Sequence, residues 1–194
     1  MATPETLRVI RDEHMALAAM LRSLQLLLQQ GPADDPRRFF DTVRAMLFYI
    51  DEFPEQLHHP KESNLLFPRL VRVAPQTMPA IERLEQDHMN GESSVRQLQH
   101  LLLAWELLGE GRREAFTEAY ARYMRFYLEH MRLEEQEVLP QAEACLSADD
   151  WRELDEAFGS NRDPLTGKYP AAPEYERLFQ RIVHDAPAPI GLGG

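Results

Sequence analysis

Helix-breaking residues cut this chain into four long stretches, and each stretch carries apolar side chains at alternating intervals of three and four. The breaks fall at Gly31-Pro32, between Pro75 and Pro79, and between Gly109 and Gly111. Intervals of three and four lay one apolar stripe along one side of an α-helix. Short breaks between long helices make consecutive helices antiparallel. The spacing therefore predicts helices over residues 4–30, 36–73, 79–108 and 112–146, running up, down, up and down as a four-helix bundle that fills residues 1–146. Beyond it Ser147 is a candidate N-cap for a short helix at residues 148–158, and a second short helix is expected near 173–184. Residues 186–194 carry no periodicity, so residues 147–194 read as an extension packed on the bundle. No stretch alternates with the period of a strand, and the expected class is all-α.

Composition removes several functions. With 194 residues the chain is long enough for one domain with a real core. A net charge of −11 repels phosphate backbones and anionic lipid heads, and no cluster of Lys and Arg overrides it, so neither nucleic acid nor a membrane surface is an expected partner. The most apolar run, around Leu24 to Leu28, is far short of the roughly 20 residues a bilayer requires. Glu5 and Asp12 near the start do not fit a basic signal segment, and a cytoplasmic location is expected. Cys145 alone can make neither an internal disulfide nor a thiolate metal site. Any metal must then sit on His and carboxylate ligands, which points to iron or manganese.

The inward seams contain residues that do not belong in an apolar stripe. In the first stretch the seam runs Leu7, Ile10, His14, Leu17, Leu21, Leu24, Leu28, and in the third Ile81, Leu84, His88, Gly91, Val95, Leu98, Leu102, Trp105. The fourth gives Phe116, Tyr120, Tyr123, Tyr127, His130 and Glu134, and the second, disturbed by Pro54 and Pro60, carries His58 and Glu62 along one side. At about 1.5 Å per residue, His88 and His130 lie about 31 and 27 Å from their shared connection, level within a turn. His14 and His58 come out at about 24 and 33 Å from theirs, a mismatch of a turn or two.

His58 with Glu62 and His130 with Glu134 each place a carboxylate one turn after an imidazole on the same face, so one helix can supply two neighbouring ligands. His88 with Glu92 repeats the spacing. A buried glutamate or imidazole without a partner is costly, and a metal ion satisfies both at once. A rival scheme, the Glu-x-x-His of ferritin-like bundles, would use Glu55 with His58 and Glu85 with His88. It leaves His14 and His130 on the seam unexplained.

At these residues the sequence resembles the hemerythrin-like family, in the branch ordered H, HxxxE, H, HxxxE, here His14, His58 with Glu62, His88, and His130 with Glu134, across approximately residues 5–145. The resemblance implies a non-haem centre of two iron ions, oxo- or hydroxo-bridged, in which Glu62 and Glu134 bridge the irons and the four histidines complete the shell. Oxygen-carrying members have a further histidine where this chain has Glu92, and an aspartate one residue later than Glu134. The resemblance implies binding of, or reaction with, oxygen, nitric oxide or peroxide, in sensing, detoxification or iron homeostasis. An oxidoreductase turning over peroxide or nitric oxide is the alternative. A helical interaction module, supported by the acidic surface and the apolar tail at Pro189, Ile190 and Leu192, is a third reading.

His59 is turned about 100° from His58 on an α-helix and is expected behind the ligands or facing solvent, although Pro60 leaves open an exchange of roles between the two. Glu92 is expected in a structural or supporting role. Tyr120, Tyr123 and Tyr127 fit aromatic core packing, with the Tyr127 hydroxyl, one turn before His130, a candidate hydrogen-bond donor to the centre. His100 and His184 fit the surface.

Overall fold

A computed structural model describes residues 3–32 and 35–193. Helix α1 (Glu5–Gln30) runs on the seam set out above and stops at Gly31, whose φ of 73° is the left-handed conformation that glycine tolerates best. Helix α2 (residues 36–73) opens on Asp35, whose carboxylate accepts the Arg38 amide at 3.0 Å, with Pro36 in the first turn. Helix α3 (Met78–Leu108) stops at Gly109, with φ of 88°. Helix α4 (residues 113–145) is followed by α5 (Ala148–Phe158), opened by a reciprocal cap between Ser147 and Asp150, and by α6 (Glu176–Asp185). These six helices, with a few short turns, contain the regular structure among the described residues, and no strand occurs there.

Two of the rods are not α-helical throughout. Helix α2 widens into π-helical turns over Asp51–His58 and again over Glu62–Leu66, with one turn of ordinary helix at His59–Lys61 between them. Helix α4 widens once, over Glu134–Val138. The cause lies in the sequence. Pro54, Pro60, Pro68 and Pro140 each lack an amide hydrogen and crowd the carbonyl four residues back, and bonding to the fifth residue back lets the chain continue past them.

Helix α1 packs against α2, α4 and α5, α2 against α3 and α6, and α3 against α4. The apolar interior falls into two bodies. One gathers Leu17, Leu24, Phe40, Leu47, Trp105 and Tyr127 with their neighbours, and the other gathers Leu7, Ile10, Phe67, Leu84, Leu139 and Phe158 with theirs. In every long helix the seam passes from one body to the other through a buried histidine or glutamate: Ile10, His14, Leu17 in α1, and Leu84, His88, Val95 in α3. A polar layer thus divides the core. No described helix is long and apolar enough to cross a membrane.

Candidate metal centre

The polar layer contains His14 from α1, His58, His59 and Glu62 from α2, His88 from α3, and His130 and Glu134 from α4, all buried, with both glutamates fully so. Their donor atoms form two groups, each within 4.8 Å: His14, His58, Glu62 and Glu134, and His59, Glu62, His88 and His130. Glu62 belongs to both. All six residues expected from the seams are brought together.

His59 corrects the expectation drawn from the sequence. It is 5 % exposed rather than solvent-facing, and it lies with Glu62, His88 and His130, its ring stacked 4.2 Å from that of His88. The 100° rule assumes α-helical turns, whereas His58 closes a π-helical run and successive residues there are rotated by less. Both adjacent histidines can then face inward.

A second layer of polar residues runs from helix to helix behind the rings of the four long helices, and three of its four links are hydrogen bonds. Glu13 of α1 holds His58 Nδ1 of α2 at 2.6 Å, and Ser63 of α2 holds His88 Nδ1 of α3 at 3.0 Å. Asp87 of α3 faces His130 Nδ1 of α4 at 3.5 Å, too long and poorly aligned for a hydrogen bond, and Glu135 of α4 holds His14 Nδ1 of α1 at 2.9 Å. Each of these residues is the sequence neighbour of an inward-facing His or Glu on its own helix. His59 is held from within α2, by Glu55 at 3.1 Å, one turn earlier. Pinning one ring nitrogen leaves the other for the cluster, and a carboxylate behind an imidazole makes it a better metal ligand. These partners escaped the seam reading because they lie off the apolar stripe; the available signal was a polar residue beside each seam ligand.

Inside the layer hydrogen bonding fails. His58 Nε2 lies 2.7 Å from Glu62 Oε1, His14 Nε2 3.3 Å from Glu134 Oε2, and His88 Nε2 3.4 Å from Glu62 Oε2. The angles are nevertheless wrong: both carboxylate oxygens of Glu62 and of Glu134, Nε2 of His58 and His88, and both nitrogens of His130 have no hydrogen-bond partner. Close approach without donor alignment is the arrangement of lone pairs that share a target, and the donor set of imidazole nitrogen and carboxylate oxygen fits a divalent or trivalent transition metal.

In the absence of metal, protons take part in balancing the layer. Burial acts to lower the His14 pKa, but Glu134 and Glu135 outweigh it and raise it to about 9. His58 is likewise raised against burial by Glu62 and Glu13, whereas burial, reinforced by neighbouring histidines, lowers His59 and His130. Burial also acts to raise Glu62, but His58 and His88 prevail and hold it well below the usual carboxylate range; Glu134 is raised by burial and by the charge on Glu62. Without metal, the layer stores protons that metal binding must displace.

Glu55 and Glu85, the carboxylates of the ferritin-like scheme, lie outside both groups. Glu85 accepts the Ser63 hydroxyl at 2.9 Å, while Glu55 accepts the hydroxyls of Tyr127 and, at 3.4 Å, Tyr123. Tyr127 therefore spends its proton on Glu55. Gly91 makes this possible, since a Cβ there would collide with the Tyr127 hydroxyl and crowd Glu55. Glu92 pairs with Arg96 at 2.6 Å on the outer side of α3, and His100 and His184 are exposed. The Tyr120 hydroxyl donates to the Leu21 carbonyl, a packing role.

Residues 5–142 match the sequence model of the hemerythrin HHE cation binding domain. The chain belongs to the hemerythrin HHE family. An uncharacterized protein of Haemophilus influenzae is 34% identical over 120 residues, which cover 62% of this chain and 67% of that one. No solved structure matches. Membership makes this a cation-binding domain, and its candidate ligands are the two His/Glu groups just described.

Proposed function

We propose that this hemerythrin-family chain is a non-haem di-iron protein that binds or reacts with a small oxidant, namely oxygen, nitric oxide or peroxide, in sensing, detoxification or iron homeostasis. Glu62 would be shared by both ions, with His14, His58 and Glu134 holding one and His59, His88 and His130 the other, so that Glu134, expected from the resemblance to bridge, would serve a single ion. The observation that carries this reading is the set of eight buried, unpartnered donor atoms in the layer, together with the outer residues that orient the rings. Five imidazoles and two carboxylates supply roughly nine of the roughly twelve positions around two six-coordinate ions, leaving about three open. Iron so held supplies one-electron chemistry and open positions for a small ligand. The protein's own part is to orient the imidazoles, through Glu13, Glu135, Glu55 and Ser63, and to exclude bulk water with the apolar bodies above and below. An interaction module with an incidental polar seam would have to leave the same eight atoms unsatisfied, at about 1–3 kcal/mol each.

In the same reading, the four long helices form the up-down-up-down bundle of residues 1–146, with 147–194 as an extension upon it. The location is cytoplasmic, where a lone exposed Cys145 stays reduced. Anaerobic reconstitution with ferrous iron, followed by titration with oxygen, nitric oxide and peroxide, tests the function. One equivalent consumed per centre marks a binding or sensing protein, and many turnovers with an electron donor mark an oxidoreductase. No reaction with any of the three contradicts the reading.

A further inference from the structure

The family match ends at residue 142, but the walls of the centre do not. After α5 the chain crosses the outside of α1 and α2, and two of its polar residues, Asn161 and Asp163, are buried there at 4 % exposure each. The crossing is fastened at every step. Thr6 donates its amide and its hydroxyl to Asp155 at 2.7 Å, fixing α5 to α1. Lys61, in the single ordinary turn between the two π-helical runs of α2, donates to the Ala157 carbonyl and the Ser160 hydroxyl at 2.8 Å and to the Asn161 side-chain oxygen. Asn161 Nδ2 donates to Glu13 Oε2 at 3.1 Å, the same oxygen that holds His58 Nδ1. The Tyr49 hydroxyl donates to Asp163 at 2.5 Å.

Beneath this crossing lies a small cavity of about 20 Å³ that reaches His14, His58 and His59 between the apolar side chains of Leu17, Phe53 and Met131. Asn161, Arg162 and Asp163 line it from the crossing, and the partly exposed Leu57 lines it from α2. The volume suits about one to two water-sized groups. We propose that the segment Asn161–Asp163 is the specificity-determining wall of the centre: by closing the α1–α2 side of the polar layer it admits uncharged molecules of about two heavy atoms and turns larger ones away. The inference deepens the proposed function, on which it rests only for what stands at the inner end of the passage; the wall itself is independent of metal. Arg162 does not make the passage anion-selective, because its guanidinium lies over the Tyr169 ring and Glu13 and Asp163 flank the same cavity. Asn161 is in addition a positioning residue, acting on His58 through Glu13.

The test uses the full chain, zinc-loaded so that it is diamagnetic, with labelled methyl groups read by NMR. Dissolved oxygen, the two-atom probe, should broaden the Met131 and Leu17 methyl signals, while hydroxy-TEMPO, a bulky uncharged nitroxide, should leave both unchanged. In Asn161→Ala the nitroxide effect at Met131 should rise several-fold. Lys61→Met, which frees the crossing without touching the cavity, should do the same and serves if Asn161→Ala fails to fold. Nitroxide broadening of Met131 in the unmodified chain overturns the inference, and so does exclusion of the nitroxide by folded variants as complete as in the parent. Zinc content of the same samples reports on the metal reading separately, and the methyl signals read the passage whether or not zinc is bound.

Discussion

Removing the metal should destabilise this protein far more than removing a surface ion would, and the amount can be bounded from the polar layer. Among the described residues, nine buried side-chain atoms lack a hydrogen-bond partner, and eight of them belong to His58, Glu62, His88, His130 and Glu134. At about 1–3 kcal/mol per unsatisfied atom the gross penalty is about 8–24 kcal/mol, against about 5–15 kcal/mol for the whole stability of a typical domain. The metal-free chain relieves part of this by protonation and by admitting water. Half of the lowest figure, about 4 kcal/mol, is then a floor, and at about 2–4 °C per kcal/mol for a chain of this size it corresponds to a fall in Tm of about 8–16 °C. The loosening should begin in α2, where the π-helical runs at Asp51–His58 and Glu62–Leu66 flank Lys61 and already interrupt the helical ladder. Calorimetry on metal-loaded and chelator-dialysed protein gives the first quantity, and hydrogen exchange across residues 51–66 gives the second. Complete loss of metal with a Tm change under about 3 °C and unaltered exchange would refute the reasoning.

Three further outcomes are expected. Glu62→Ala should abolish both ions, because its two oxygens face different groups, whereas Glu134→Ala and His59→Ala should each leave about one ion per chain; equal loss in all three, by elemental analysis, contradicts the shared role of Glu62. Gly91→Ala should cost about 1–3 kcal/mol in denaturant unfolding by pushing Tyr127 off Glu55, and an unchanged midpoint would show that Tyr127 moves freely. Burial raises the Asp163 carboxyl from 3.8 to about 6. Its folded form therefore holds a proton that the unfolded chain has already released, so its contribution is intact below about pH 4 and is lost as pH rises through about 6, by up to about 3 kcal/mol. Asp163→Asn should flatten that part of the stability profile; a profile with the same slope in both proteins counts against the assignment.

The seams made most of this centre legible. His14, His88, His130 and Glu134 occupy positions where a leucine belongs, and α1 and α3 are regular enough for such a position to specify depth and direction. The short helix capped by Ser147 was equally plain from its sequence. Helix α2 was less so, for a reason visible in hindsight at Pro54, Pro60 and Pro68, which fall six to eight residues apart in a stretch otherwise suited to a helix. Prolines at that density cannot sit in an unbroken α ladder. The π-helical turns that result pack more residues into each turn, so they take up part of the excess depth calculated for His58. They also bring His59 inward beside it. The outer layer of Glu13, Ser63, Asp87 and Glu135 was beyond reach, because which helices are neighbours decides which ring each residue meets. Asn161 and Asp163 lie in an irregular segment with no period to read.

The most direct test of the central claim is the metal content of the purified chain after anaerobic reconstitution with ferrous iron, with absorption spectra through reduction and re-exposure to air. The account predicts two irons per chain and near-ultraviolet bands that bleach on reduction and return in air. A folded chain that retains no iron after reconstitution would contradict it.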